Sequence, residues 1–310
     1  KWRIIKFSLF FLSSECYNNN VIFYKEEVAV KKLLKSAAAA GALLFACLPL
    51  CGCSEEAAPV VLEKSHVPVG YTATYHITVK DGIAEGENLT YDNRYSIYVE
   101  GEEGARELVI SSIAEAPYIN DKKEEGVQTI TANSRLVYDD TSLAGFGVPI
   151  TVEEEFTNTV AQTQYTHLLA EHDHSLKMAL LKTKKYKSST DTEPTESLYS
   201  VSLQTQYFDK DSLPFLLAAF PSEQDAVVWL SAGNRDRLQA VRYEPLGKEH
   251  ITVPAGAFDC IKIRLRPNTD FSVYSATLYI DSATGLVIKV IQQNSVMKLM
   301  ETDFQTAPSA

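Results

Sequence analysis

The chain has 310 residues, with 40 Asp and Glu against 29 Lys and Arg and a formal charge of −11. Such an acid surplus argues against nucleic-acid binding, which is driven by basic surface meeting phosphate. Hydrophobic residues make up 45 % of the chain, enough for a folded core, so wholesale disorder is excluded too.

The first methionine is Met178. Val28 and Val30 can be encoded by GTG, an alternative start codon, so residues 1–29 read as untranslated leader or as an N-terminal extension. Lys31, Lys32 and Lys35 then form a positive run. Residues 37–50, AAAAGALLFACLPL, carry no charge. This stretch is too short to cross a bilayer, which takes about 20 apolar residues. It has the order of a secretory signal, a charged segment followed by an apolar one. Leu50-Cys51-Gly52-Cys53 resembles the lipobox of bacterial lipoproteins, with Cys51 standing where Ala or Ser is commoner. The resemblance implies a signal peptide over 30–52, acyl chains on Cys53 and a tether over 53–66. Zinc binding is the rival reading of Cys47, Cys51 and Cys53. A structural zinc site takes four ligands, usually as two pairs, and no second cysteine pair follows.

Cleavage before Cys53 removes seven Lys/Arg and three Asp/Glu. It leaves 258 of the 310 residues, with 22 basic and 37 acidic side chains and a charge of −15. A chain so acidic is repelled by nucleic acid and by anionic headgroups. Membrane attachment then falls to the acyl chains on Cys53, at roughly 0.8 kcal/mol per buried CH2. The expected location is the outer face of the cytoplasmic membrane, or the outer membrane facing the periplasm. Only Cys53 and Cys260 remain, so a packed core must supply the stability.

Residues 67–305 read as one antiparallel β domain. In YTATYHITV, residues 71–79, apolar and aromatic residues alternate with polar ones, the period of a half-buried strand. Asn88–Val99, Glu107–Ile113, Gln128–Tyr138 and Val148–Phe156 follow as strands. Residues 160–187 fit a helix face or a hairpin turning at His172-Asp173-His174, and the β flanks favour the hairpin. After a polar loop over 187–197 the strand pattern resumes at Leu198–Phe208. Asp211-Ser212-Leu213-Pro214 opens a short helix, Phe215–Phe220, that Pro221 stops. Being apolar all round, it should be buried. Val227–Leu230, Leu238–Tyr243, His250–Val253, Ala257–Arg266, Ser275–Ile280, Leu286–Gln292 and Met297–Phe304 complete a meander.

ITVPAGAFDCIKIRL, residues 251–265, resembles the signature hairpin of a domain-of-unknown-function family of exported bacterial β proteins. The short helix at 211–220 and the strands that follow fit the same family over residues 198–304. The family is similar in fold to Lol-type lipoprotein carriers. The resemblance implies a mainly β fold: a highly twisted antiparallel sheet forming an unclosed half-barrel, with one short apolar helix against its concave face. It supplies no catalytic residues. Leu213, Phe215, Leu216, Leu217 and Phe220 become the candidates for lining an apolar ligand cavity, with ordinary core as the alternative.

Nothing points strongly to catalysis, and no cofactor is expected. His172 and His174, with His167 nearby, are weak metal candidates; a solvated turn explains them more simply. Cys260 has cationic strand neighbours, and His250 lies across the Pro254 turn as a base. A small buried hydrophobe is the simpler reading. Glu153-Glu154-Glu155 reads as a solvated face. The expected function is binding of a lipid or acyl chain in the half-barrel. Assembly of the envelope through contact with another envelope protein is the alternative, and an envelope hydrolase ranks last.

Overall fold

Period-two alternation dominates the chain, and fifteen strands result. A computed structural model describes residues 69–80, 88–101, 106–119, 125–138, 149–158, 164–173, 178–186, 193–202, 207–220, 222–232, 237–267 and 276–304. Leu50, Cys51, Gly52 and Cys53 of the lipobox, the leader and tether, and His174 lie outside the described residues.

The first half comprises β1 (Tyr71–Val79), β2 (Leu89–Glu100), β3 (Arg106–Ile119), β4 (Glu125–Tyr138), β5 (Thr151–Asn158), β6 (Gln164–Asp173), β7 (Met178–Tyr186) and β8 (Thr195–Ser202). Then come β9 (Tyr207–Phe208), helix α1 (Leu213–Leu216) and a 3-10 turn (Leu217–Ala219). β10 (Ala226–Ala232), β11 (Arg237–Val253), β12 (Gly256–Pro267), β13 (Ala276–Asp281), β14 (Val287–Ile291) and β15 (Ser295–Thr302) end the domain.

All fifteen strands belong to one sheet, in the order β8-β7-β6-β5-β4-β3-β2-β1-β15-β14-β13-β12-β11-β10-β9. First and last strands pair in the middle, through rungs such as Ile77↔Met297. The edges are β8 and β9, which do not pair with each other, so the sheet is not closed into a barrel. Every pairing is antiparallel except β9 with β10. The mainly β, unclosed architecture and, among the described residues, one short helix agree with the sequence reading.

One face of the sheet holds the core. Tyr71, Ala73, Tyr75 and Ile77 of β1 are buried while Thr72, Thr74, His76 and Thr78 alternate outward. Tyr75 and Tyr95 meet edge to face at 5.5 Å, and the Tyr75 hydroxyl donates to the Val287 carbonyl at 2.9 Å. That last bond ties β1 to β14 across the curl of the sheet.

Four local expectations are settled or refined. Within 160–187, β6 (Gln164–Asp173) and β7 (Met178–Tyr186) pair antiparallel in the register Asp173↔Met178, as the hairpin reading expects. The stretch Leu198–Phe208 is not one strand: β8 and β9 lie at opposite edges of the sheet. Leu238–Tyr243 and His250–Val253 are one long strand, β11, whose register shifts between Pro245 and Lys248. Pro245 has no N–H to give the ladder, and Gly247 takes a φ of +97° that a side chain would strain. The chain therefore bulges there instead of turning. The helix is shorter than expected, with Ser212 as N-cap, Pro214 in its first turn and a tightening to 3-10 geometry after Leu216.

Candidate functional site

From edge strand β9 the chain turns into the concave side of the sheet, and every residue from Tyr207 to Leu217 is buried. This segment touches strands of both halves. The Tyr207 ring lies 5.6 Å from His172 of β6, and Phe220 lies 5.0 Å from Tyr243 of β11. Small inward side chains on the facing strands, among them Ala132, Ser134, Ala170 and Ala179, leave it room.

At its centre is a buried charged cluster. Lys210 Nζ is 2.9 Å from Asp211 Oδ1 and 3.3 Å from Glu154 Oε2 of β5. Ser134 Oγ of β4 donates to Asp211 Oδ2 at 2.9 Å. Asp209 shapes the turn: its Oδ1 accepts from the Asp211 N–H, and its carbonyl accepts from Ser212 Oγ. Asp211 is fully buried and Lys210 is 4 % exposed. Charges this deep persist only when paired and hydrogen-bonded.

Glu154 corrects the reading of Glu153-Glu154-Glu155 as a solvated face. It stands in register with Ser134, between the inward Val152 and Phe156, and reaches Lys210. Strand alternation puts the middle carboxylate on the face opposite to its two neighbours. Ser134 and Glu154 were missed as site residues, although a signal existed. Each interrupts an inward apolar series, Ile130-Ala132-Ser134-Leu136 and Val152-Glu154-Phe156.

The structure places Leu213, Phe215, Leu216, Leu217 and Phe220 in the core at 0–3 % exposure. On strands β2 to β4, Tyr91, Asn93, Tyr95 and Ala132 border a cleft of about 10 Å³, room for one water. Ligand pockets are typically about 300–1,000 Å³. Burial pushes the hydroxyls of Tyr91 and Tyr95 above the ordinary phenol range, so both stay neutral, and the Tyr95 hydroxyl accepts from Asn93 Nδ2 at 2.9 Å.

His172 is buried against Tyr207, on the inner face of β6. Among the described residues no three His, Cys, Asp or Glu converge as metal ligands. Cys260 is fully buried on β12, opposite Glu249 on one side and Asp281 on the other. Burial, then the carboxylates of Asp281, Asp259 and Glu249, push its thiol up to about 12. His250 faces Asp259, its Nδ1 2.8 Å from Oδ1, in place of the thiol. A thiol held neutral with no base beside it is a poor nucleophile.

No protein-family model and no curated protein matches the chain. Among solved structures, it is similar to a β-barrel-like protein of the domain of unknown function DUF1849 from Brucella abortus. That match has 10 % identity and a TM-score of 0.49, over 77 % of this chain and 98 % of that one. It is also similar to an exported protein with a YmcC-like fold from Bacteroides fragilis. Here identity is 12 % and the TM-score 0.27, over 79 % of this chain and all of the other. At such scores nothing about activity passes across.

Proposed function

We propose that this chain is a lipid-anchored, non-enzymatic protein of the bacterial cell envelope that binds another envelope protein along the outside of its sheet. The supporting observation is that segment 207–220 is buried against the concave face, while among the described residues no strand pairs beyond edge strand β8. An open edge offers a row of backbone donors and acceptors to which an extended segment can add. Leu198 and Tyr199 of β8, 63 % and 49 % exposed, point to opposite sides and would hold such a strand from both. The anchor rests on Leu50-Cys51-Gly52-Cys53 in the sequence.

A second reading is carriage of a lipid or acyl chain by Leu213, Phe215, Leu216, Leu217 and Phe220. It requires segment 207–220 to swing out. The observation favouring it is the ionic contact of Lys210 with Asp211 and Glu154, since polar anchors inside apolar interiors are a known basis of switching.

One experiment separates the readings. Residues 54–310, secreted without the anchor and purified without detergent, are weighed by native mass spectrometry. A photo-crosslinker replacing Leu198 is tested in cells alongside. A clean mass, no uptake of acyl probes and a discrete protein adduct are expected. A stoichiometric lipid with no adduct would replace the first reading with the second. Cys53→Ala should abolish the acyl mass and release the protein from membranes washed in high salt, and retention through that wash would refute the anchor.

A further inference from the structure

On the outer face of the sheet one rung crosses five strands. Lys262 of β12 stands opposite Tyr279 of β13, and Tyr279 opposite Lys289 of β14. Lys289 stands opposite Lys298 of β15, and Lys298 opposite His76 of β1. Adjacent strands are about 4.8 Å apart, so the cations are close neighbours. The ammonium groups of Lys262 and Lys289 flank the Tyr279 ring, 5.5 and 5.2 Å from its centroid.

Each end of the rung meets a carboxylate. Lys262 donates to Glu249, and His76 meets Asp92, each at 2.8 Å. The middle does not: among the described residues neither Lys289 nor Lys298 has a carboxylate partner. Like charges directly opposite each other destabilise a sheet. A chain with eleven more acids than bases nonetheless places two lysines side by side with no carboxylate partner among the described residues, one of them against the Tyr279 ring. The next rung over is Thr277, Ile291, Val296 and Thr78, in which Ile291 and Val296 are half-buried. Paired cations beside a small apolar strip suit a surface where phosphates lie over hydrocarbon.

We propose that the rung through Lys289 and Lys298 is the face on which the domain rests on an anionic bilayer, the two ammonium groups sharing lipid phosphates. Net charge alone forbids this. Charge is screened over about 8 Å at physiological ionic strength, however, so distant acids do not cancel a local patch, and the nearest carboxylates on this face, Glu301 and Asp92, are engaged by Thr74 and His76. The acidic remainder instead turns the domain so that this face points at the lipid. The proposal is independent of what β8 binds and of whether Cys53 is acylated.

The test uses the full chain as cells produce it, mixed with vesicles of phosphatidylcholine alone or of phosphatidylcholine with phosphatidylglycerol. Flotation is scored, and lysine acetylation is mapped by mass spectrometry. If the chain is anchored in both vesicles, labelling is the readout. Lys289 and Lys298 should label about five-fold more slowly on the anionic vesicles, from roughly 1 kcal/mol per lysine near such a surface. Lys182 and Lys184 of β7 should label equally on both. If it is anchored in neither, flotation is the readout. Binding should then need phosphatidylglycerol and fall about 25-fold in Lys289→Gln/Lys298→Gln, at about five-fold per lysine, and not in Lys182→Gln/Lys184→Gln. Equal labelling, or equal flotation of the two double variants, would overturn the proposal. So would protection of the two lysines in cells but not on anionic vesicles, which would indicate an acidic protein partner instead.

Discussion

Asp211→Ala removes the centre of the buried cluster. It takes from Lys210 its partner at 2.9 Å and from Ser134 its acceptor, with both side chains still buried. Deleting one partner of a buried ion pair costs about 3–5 kcal/mol. Glu154 remains 3.3 Å from Lys210, and its side chain is 20 % exposed, so part of the charge stays compensated. The low end, about 3 kcal/mol, is expected. With a urea m-value of about 3 kcal/mol/M for a chain of this size, the midpoint should fall by about 1 M at unchanged m. Asp211→Asn should cost less than Asp211→Ala, because the amide oxygen still accepts from Ser134. Lys210→Met added to Asp211→Ala should cost less than the two singles combined, by at least about 1 kcal/mol, since no uncompensated lysine is left. A midpoint shift under about 0.3 M for Asp211→Ala, or strictly additive singles, would refute the view that this cluster pins segment 207–220 inside the sheet.

Phe215→Ala empties a site that is 1 % exposed and should destabilise by about 3–5 kcal/mol, read as a lowered urea midpoint. Little change would mean that the segment does not dwell in the interior. Cys260 should resist alkylation at pH 8 in the folded protein and react once urea unfolds it. Its folded pKa, about 12, lies above the ordinary thiol value of 9.0. The unfolded chain therefore loses the proton first, and this thiol's contribution to stability should decline as pH rises from about 9 towards 12. In Cys260→Ala that component of the alkaline decline should vanish; an unchanged profile would contradict the burial argument.

The strands were legible because a half-buried strand writes its burial into the sequence at every second residue. β1 begins and ends where the alternation over 71–79 does. The helix was legible from Pro214 and its uninterrupted apolar run, and so was its burial. What the local pattern could not carry was pairing. Alternation says that a residue faces inward, but not which strand faces it from across the curl. Thus β8 and β9, four residues apart in sequence, sit at opposite edges, and the first strand pairs with the last. Asp211 reads in the sequence as part of the helix opening, and Lys210 carries no signal there. Only the curl of the sheet brings them to Ser134 and Glu154, 77 and 56 residues away. Charge divides in the same way. Composition fixed the acidic total, because a sum needs no coordinates. The position of the cations came from register, because a cross-strand neighbour such as Lys298 to Lys289 is decided by backbone hydrogen bonds between strands.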